Sequence, residues 1–421
     1  MKKLLAILFV LCSASEMFSQ NFWEDKPFFN IVADGKTLPR NFISAEGFLN
    51  YGCDGVNNEF LNKLYMGGYM DSSFVEKSTS SLLPANRFGV CTNVGLTYMR
   101  HVKDTANQYF LIGIQDRNSI TGKFSDDAFR LAFQGNTRFK GEEADFSRTQ
   151  FTAMSWTQFK FGYVTTQESS SISFSFSLLA GHQYHEANLE YGKLYTDSQG
   201  LSLTSGVAGD YWSSDTANTS AYALNGLGTS VDISWSWFKT LNNGNFETAK
   251  VDLLDFGFIN WNNKTIHRYV DTTFEWNGVD VTPLFLDPNY VVELPDDSSF
   301  IKNDTLEFHR SLFLPSVARA TYSRWFFTGR MLLKATAALP MWSEALPYGS
   351  LITGWRFSKV NTMISGGVAY GGYSKLQVPL KIEMYAIWHS CVEIGTTNAL
   401  ALINPATNSG FGAYVKLSYC F

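Results

Sequence analysis

Apolar and polar residues alternate one by one along much of this 421-residue chain, and no other feature limits its fold as strongly. A period of two gives a β-strand one apolar face and one polar face. In the clearest tract, from 171 to 178, every second residue is serine and the residues between them are Ile172, Phe174, Phe176 and Leu178. Such tracts run for roughly 8 to 12 residues, close to the ~9 to 11 that a tilted strand needs to cross a bilayer. Strands of soluble β-sandwiches are nearer to about 5 or 6 residues. The pattern predicts an all-β fold, a transmembrane antiparallel β-barrel of about 14 strands.

Polar side chains within these tracts are candidates for the barrel lumen, because a charge amid apolar alternation is tolerated only when it points into a polar interior. Further tracts cover 87–99, 128–136, 231–237, 378–388 and 411–421. The lumen-facing candidates are Arg130, Gln134, Ser173, Ser175, Lys381 and Glu383. Tryptophans at tract ends predict interfacial aromatic girdles, although tryptophan also packs cores at such positions; these are Trp261, Trp325, Trp355 and Trp388.

The two ends of the chain indicate a membrane address. Lys2 and Lys3 precede an apolar run and then small residues, which predicts a signal peptide over 1–19. Beyond it no uninterrupted apolar stretch of ~18 residues occurs, so a membrane-spanning helix is excluded and any crossing must be made by strands. Phe421 ends an alternating strand and resembles the assembly signal that the barrel-assembly machinery recognises. We therefore expect the outer membrane of a Gram-negative bacterium, with its lipid as a partner.

The mature chain divides into two regions. Residues 20–86 are predicted to hold a short helix near Asn57 to Met66, the first strand, and a plug or cap for the barrel. Residues 87–421 are predicted to form the barrel itself. Within it, 276–312 contains three prolines and an acidic pair, which predicts a long loop with a short helix or hairpin of its own that could meet a protein partner.

Composition excludes several functions. The formal net charge is -5 and no basic block occurs, so nucleic-acid binding has no support. Hydrophobic residues make up 45% of the chain, yet its mean hydropathy is only -0.10, as expected when alternate residues face lipid and a wet interior. The cysteines of the mature chain are far apart and lack metal-ligand spacing, so we interpret them as small hydrophobes.

Several short motifs resemble a family of Bacteroidota outer-membrane proteins of unknown function, itself similar to FadL-type transporters of hydrophobic substrates. The matching stretches are Phe124 to Arg130 with Gly135, Asn136 and Gly141, then Asp255 to Trp261, Leu314-Pro315, and Gly366-Gly367 with Tyr370. The resemblance implies a barrel that passes hydrophobic or amphipathic small molecules. The Asn-Pro-Ala segment of FadL-type chains is not found near the mature N-terminus, where Asn30 is followed by Ile31 and Val32.

Candidate chemistry is sparse. His182 and His185, with Glu186 and Glu190, are the one compact cluster of ligand types, but a helical zinc motif needs histidines four apart. We therefore assign the histidines a structural role and predict no metal site. Asn57 and its neighbours could offer oxygens to calcium, but helix capping explains them better.

The sequence predicts no catalytic residue, no cofactor and no enzyme, since neither a nucleophile elbow nor a phosphate-binding loop is present. Two function classes stay open. One is a FadL-like transporter of hydrophobic or amphipathic small molecules. The other is a non-transporting barrel that acts as a subunit or anchor of a secretion or cell-surface complex.

Overall fold

The computed structural model describes residues 41–102, 107–167, 169–241, 245–276, 302–385 and 390–421, and side chains from 309 onward in the strand that begins at 302. The predicted signal peptide and the rest of the chain before residue 41 lie outside this description. The described elements follow in chain order. They are β1 (Asn41–Cys53), α1 (Asn58–Met66), α2 (Ser72–Thr79), β2 (Asn86–His101), β3 (Gln108–Phe124), α3 (Asp126–Gln134), a 3-10 turn (Asn136–Phe139), β4 (Glu143–Asp145), β5 (Thr149–Thr166), β6 (Ser170–Thr196), β7 (Leu203–Ser213), β8 (Gly226–Thr240), β9 (Phe246–Trp276), β10 (Lys302–Phe313), β11 (Ser316–Phe326), β12 (Met331–Met341), β13 (Leu346–Phe357), β14 (Thr362–Gly372), β15 (Ser374–Gln377), β16 (Leu380–Tyr385), β17 (Ser390–Thr396), α4 (Ala399–Ile403) and β18 (Phe411–Cys420).

The strands form a closed antiparallel barrel with 14 strands in its wall, so the predicted fold class is confirmed. The wall order is β1, β2, β3, β5, β6, β8, β9, β11, β12, β13, β14, β16, β17 and β18. β18 returns to β1 in a continuous register from Phe42↔Cys420 to Tyr51↔Phe411. The main chains of Asn41 and Phe421 add reciprocal hydrogen bonds of 2.8 and 3.0 Å. The remaining described strands, β4, β7, β10 and β15, extend or cap the wall.

The two ends of the barrel differ. Tight turns join β11 to β12 and β13 to β14 at one end, where β1 starts and β18 finishes; we call it the turn end. The opposite end, the loop end, carries the four described α-helices. There, β6 and β9 also run beyond the wall and pair with β4, β7 and β10 in a projecting sheet.

Alternation in β6 separates an exposed apolar face from a buried polar face. The exposed fractions of Phe174 and Phe176 are 50% and 38%, against 9% for Ser175 and 1% for Ser177. Exposed aliphatic and aromatic side chains recur on most of the other wall strands, for example Ile112 on β3, Leu351 on β13 and Leu417 on β18. The outside of the barrel is therefore an apolar band, and polar side chains lie inside.

The strand predicted over 128–136 is wrong, because these residues belong to α3 and the turn after it. Ser125 caps the helix by accepting a hydrogen bond from the Ala128 N–H, and Gly135, with φ of 77°, ends it. Phe129 and Phe133, one helical turn apart, pack on Phe60 of α1. A run this short is compatible with both the strand period of two and the helical period of about 3.6 residues. The capping residues favour the helix here.

Two further expectations need correction. Residues 302–312, predicted as part of the 276–312 loop, belong to strand β10, and 277–301 lie outside the described residues. Trp261 and Trp325 do not join an interfacial girdle, since both are fully buried inside the barrel, whereas Trp355 is exposed on its outer face. Trp388 lies outside the described residues.

The short helix expected near Asn57 is α1. Its N-cap is Asn57, whose side chain accepts a hydrogen bond from the Phe60 N–H, and Gly67, with φ of 82°, ends it. α1, α2 and α3 share an apolar cluster that includes Phe60, Val75 and Phe129 above the ends of β1, β2 and β3. Among the described residues, no helix combines the length and the apolar character needed to span a membrane.

The register of β6 generates the first prediction. Phe174→Arg places a charge on the outer apolar band, which costs ~2 to 4 kcal/mol near a bilayer midplane. Ser173→Arg, the matched control, places the same side chain on the polar face. We expect Phe174→Arg to lower the yield of folded barrel in lipid vesicles far more than Ser173→Arg, as followed by the heat-dependent electrophoretic shift. Equal losses would contradict the register.

Candidate functional site: the barrel lumen

A group of buried polar residues lies in the lumen at mid-height and joins several wall strands. Arg117 on β3 forms an ion pair of 2.7 Å with Asp255 on β9. Gln158 on β5 accepts a hydrogen bond from Arg117 at 2.7 Å and donates one to Asp255 at 3.2 Å. Lys160 on β5 contacts Asp232 on β8 at 2.6 Å. We call these five residues the lumen network. Because β3 and β9 are separated in the wall by β5, β6 and β8, the network links strands that are not neighbours through one side of the interior.

Asp255 occupies a bulge in β9, and this position aims its carboxylate inward. The register between β8 and β9 shifts between Val231 and Ile233, and Asp255 has φ of 57°, in the left-handed region that few residues other than glycine adopt. Its N–H donates to Asp232 Oδ1 at 2.6 Å, and its carbonyl accepts from the Ser316 hydroxyl at 2.6 Å. The bulge thus joins the two acidic residues of the network to β11.

Other charges in the lumen are also paired. Asp252 on β9 lies 3.0 Å from Lys250 and 2.9 Å from Arg319 on β11. On β16, Lys381 contacts Glu383 at 3.1 Å, and Glu383 is fully buried. A buried charge is tolerated when it is paired and hydrogen-bonded, so these pairs let polar residues fill the interior.

Apolar clusters lie on both sides of this polar layer. Toward the loop end, Trp156, Tyr184 and Trp261 pack with Leu179 and Ile259, and the Arg117 guanidinium lies 5.1 Å from the Trp156 ring centroid. Toward the turn end, one cluster forms around Phe42 and Met99 and a second around Trp325 and Met363. Among the polar groups a cavity of about 90 Å³ remains, lined in part by Glu46, Gln115, Lys160, Asp232, Lys250 and Lys416.

Two chain segments cross the loop end of the lumen. Glu344, between β12 and β13, accepts a hydrogen bond from Gln150 of β5, and its N–H donates to Thr121 of β3 at 3.0 Å. Tyr373, after β14, donates its hydroxyl to the same Thr121 at 2.6 Å. Burial raises the pKa of Tyr373 to about 12, so the phenol keeps its proton. A Cβ at Gly89 would lie 2.1 Å from the Tyr373 ring, so glycine is needed where that ring rests.

The projecting sheet carries its own aromatic and charged cluster. Arg310 on β10 donates to Glu186 at 2.6 Å and to the Tyr184 hydroxyl at 3.1 Å. Its guanidinium lies 4.4 Å from the Trp212 ring centroid, and the His267 ring stacks on Trp212 with the two ring centroids 3.8 Å apart. These contacts stabilise the sheet where it leaves the wall.

The residues expected to face the lumen fall into two groups. Ser175 is buried and donates to Asp232 at 2.9 Å, and Ser173 lines the same cavity. Lys381 and Glu383 form the pair described above. Arg130 and Gln134 instead lie on α3 at the loop end, where Arg130 pairs with Asp126 and Gln134 donates to Glu76 of α2. They do not face the lumen from a wall strand, because the strand expected there is a helix.

The two histidines are held apart by structural contacts. His182 is buried between Thr157 Oγ1 at 2.8 Å and the Ala223 carbonyl oxygen at 3.0 Å. His185 bonds to the Tyr211 hydroxyl at 2.9 Å. Over the part of the chain that the structure describes, no group of three or more His, Cys, Asp or Glu residues could hold a metal ion.

Sequence reasoning missed the lumen network. A signal was available, since Lys160 lies between Phe159 and Phe161 and Asp232 lies between Val231 and Ile233. A single charge between two apolar residues of a strand marks an inward position in a barrel. The pairing of these charges could not be read in the same way, because it depends on which strands face each other across the lumen.

The sequence matches a family described as a family of unknown function, DUF5723, over residues 50–384. The chain belongs to this family, which confirms the resemblance found in its motifs as far as a family of unknown function. No curated protein matches the chain.

Solved barrels are similar to it at low identity. The toluene transporter TodX of P. putida has a TM-score of 0.42 at 10% identity over 90% of both chains. A Pseudomonas aeruginosa FadL homologue has a TM-score of 0.40 at 10% identity over 91% of this chain and 90% of its own. The translocator domain of the autotransporter NalP from Neisseria meningitidis has a TM-score of 0.33 at 8% identity over 93% and 92%.

The Arg117–Asp255 pair can be tested by a double-mutant cycle. Arg117→Met leaves the buried Asp255 carboxylate uncompensated, so we expect it to lower the free energy of unfolding by about 3 to 5 kcal/mol. In an Asp255→Asn background, Arg117→Met should lower the free energy of unfolding much less, because the carboxylate that it would leave unpaired is absent. Urea unfolding of the barrel in lipid vesicles measures both values. Additive effects would contradict direct coupling across the lumen.

Proposed function

We propose that this member of the family of unknown function is an outer-membrane β-barrel with a closed lumen, which serves as a membrane anchor or subunit of a cell-surface complex. The observation that carries the proposal is the lumen network, in which Arg117, Gln158 and Asp255 join the inner faces of β3, β5 and β9 at mid-height. These are wall residues and not a removable plug.

The outer-membrane location is supported by the barrel's closure and by its surface. In lipid every backbone polar group needs a partner, and a closed barrel meets that need without a free edge. The outer face is an apolar band, as β6 illustrates with Phe174 and Phe176. The proposed assembly signal, Phe421, exchanges backbone hydrogen bonds with Asn41 where β18 meets β1. Outer-membrane barrels have short periplasmic turns and longer external loops, so we assign the turn end to the periplasm.

The cost of opening the lumen supports the proposal that it is closed. Removing one partner of a buried ion pair costs about 3 to 5 kcal/mol, and the lumen network contains the pairs Arg117–Asp255 and Lys160–Asp232. Apolar clusters lie above and below this layer. A solute that moved through the lumen would have to break these contacts in succession. In an anchor, the same contacts keep the wall rigid.

The loop end offers the surface for a partner. At the end of α1 and just beyond it, Leu64, Tyr65, Met66 and Tyr69 are exposed, and large exposed apolar patches mark interaction sites. The projecting sheet extends from the same end. The 276–312 segment remains our proposed contact for a protein partner, although 277–301 lie outside the described residues.

Passage of hydrophobic or amphipathic small molecules is the second candidate. The observation that favours passage is the way the loop end of the lumen is closed, which depends on the hydrogen bonds of Glu344 and Tyr373 to Thr121 and Gln150. Movement of these two segments would uncover the loop end of the lumen. The N-terminal segment before residue 41, proposed as a plug or cap, would be a further gate.

Uptake by proteoliposomes separates the two candidates. We expect wild-type protein, the deletion of residues 21–41 and the variant Glu344→Ala all to pass an amphipathic fluorescent probe no faster than protein-free liposomes, because the lumen network stays in place in each. The heat-dependent electrophoretic shift checks that each barrel is folded. Faster uptake by the wild type, or by either variant, would refute the closed-lumen proposal and favour transport.

A further inference from the structure

A groove runs between two neighbouring turns at the turn end of the barrel, the β11–β12 turn at 327–330 and the β13–β14 turn at 358–361. Its volume is about 720 Å³, and Phe327, Thr328, Arg330, Trp355, Arg356 and Asn361 are among the residues that line it. We call it the rim groove. Nothing in the lumen network reaches this part of the barrel.

The rim groove is positively charged. Arg330 and Arg356 line it, no carboxylate does, and Lys359 is exposed in the adjoining turn. Arg356 donates to Asn361 Oδ1 at 3.1 Å, and its guanidinium lies 5.4 Å from the Tyr385 ring centroid. Among the described residues neither arginine forms an ion pair with a carboxylate. Two guanidinium groups in such a setting suit the oxygens of a phosphate.

The lipid side of the groove is aromatic. Phe327 and Trp355 have exposed fractions of 62% and 44%, and their ring centroids lie 6.1 Å apart. Phe327 and Thr328 have φ of 53° and 54°, a left-handed conformation that is unfavourable for bulky and β-branched residues. Asn245 supports the turn by accepting a hydrogen bond from the Thr328 N–H at 3.1 Å. The strained turn therefore holds the phenyl ring beside Trp355, outside the packed interior.

Position and charge together indicate the occupant. Aromatic side chains at a membrane–water interface lie at the level of the lipid headgroups, and the turn end is the periplasmic end in the proposed orientation. We propose that the rim groove binds a phospholipid of the periplasmic leaflet, with its phosphate on Arg330 and Arg356 and its acyl chains along Phe327 and Trp355. This inference rests on the proposed membrane location and is independent of whether the lumen is closed.

Lipid binding to the full-length protein in mixed micelles tests the proposal. The probes are phosphatidylglycerol and a diacylglycerol glycolipid with the same acyl chains and no phosphate, and native mass spectrometry counts the bound lipid. We expect the wild type to retain phosphatidylglycerol in preference to the glycolipid. Arg330→Gln together with Arg356→Gln should weaken retention by about tenfold or more, because charge-assisted hydrogen bonds are lost. Arg100→Gln, an exposed arginine at the turn end of β2, is the matched control and should change nothing.

Each outcome of this experiment either supports or overturns the proposed phospholipid site. Equal retention by the wild type and the double variant, or equal binding of both lipids, overturns the proposal. Saturable binding of inorganic phosphate by the wild type, without retention of phosphatidylglycerol, also overturns it and assigns the arginines to a soluble anion. The heat-dependent shift is measured on the same samples, so failure of the barrel to fold or insert is recognised separately from failure to bind lipid.

Discussion

The pairing of β1 with β18 is the constraint on which the rest of the structure depends. Without it the outermost strands would expose two rows of unpaired N–H and C=O groups, which a bilayer does not tolerate. The pairing runs from Phe42↔Cys420 to Tyr51↔Phe411, and Phe421 continues it to Asn41. Closure fixes which strands face each other, and so it also fixes which inward side chains meet. The contact of Arg117 with Asp255 exists because the curvature of the closed wall brings the inner faces of β3 and β9 together.

A barrel of this size has to fill or hydrate its interior, and this one fills it in layers. Charged side chains pair at mid-height, apolar clusters lie toward both ends, and Glu344 and Tyr373 cross the loop end. Buried ion pairs contribute little net stability compared with apolar packing, but breaking one is costly. They therefore resist rearrangement more than they strengthen the fold. That property suits a rigid anchor, and it leaves the turn end and the loop end as the surfaces where lipid and partners can bind.

The sequence predicted the parts of the fold that depend on neighbouring residues. Alternation located β6, β8 and β18, and Asn57 located the start of α1. Prediction failed where a local pattern fits two structures. The nine residues of α3 satisfy strand and helix periods alike, and the capping of Ser125 onto Ala128 decides between them. The position of Trp261 at the end of a tract is compatible with an interfacial girdle and with packing inside the lumen. Alternation tells which face a residue occupies only when the register of the strand is known. The partners of Arg117 and Lys160 depend on strand number and closure, which no local pattern contains.

The central claim, that the lumen is closed by the wall's own side chains, is tested most directly by the accessibility of a cysteine placed within it. Ser177 is 1% exposed and accepts a hydrogen bond from Gln158 at 2.9 Å, so it lies beside the lumen network. In a background without native cysteines, Ser177→Cys in lipid vesicles should resist a small water-soluble thiol reagent added from either side. Tyr69→Cys, at a loop-end position that is 87% exposed, should react at once. Reaction of Ser177→Cys at a rate near that of Tyr69→Cys would reveal a continuous aqueous path and contradict the account.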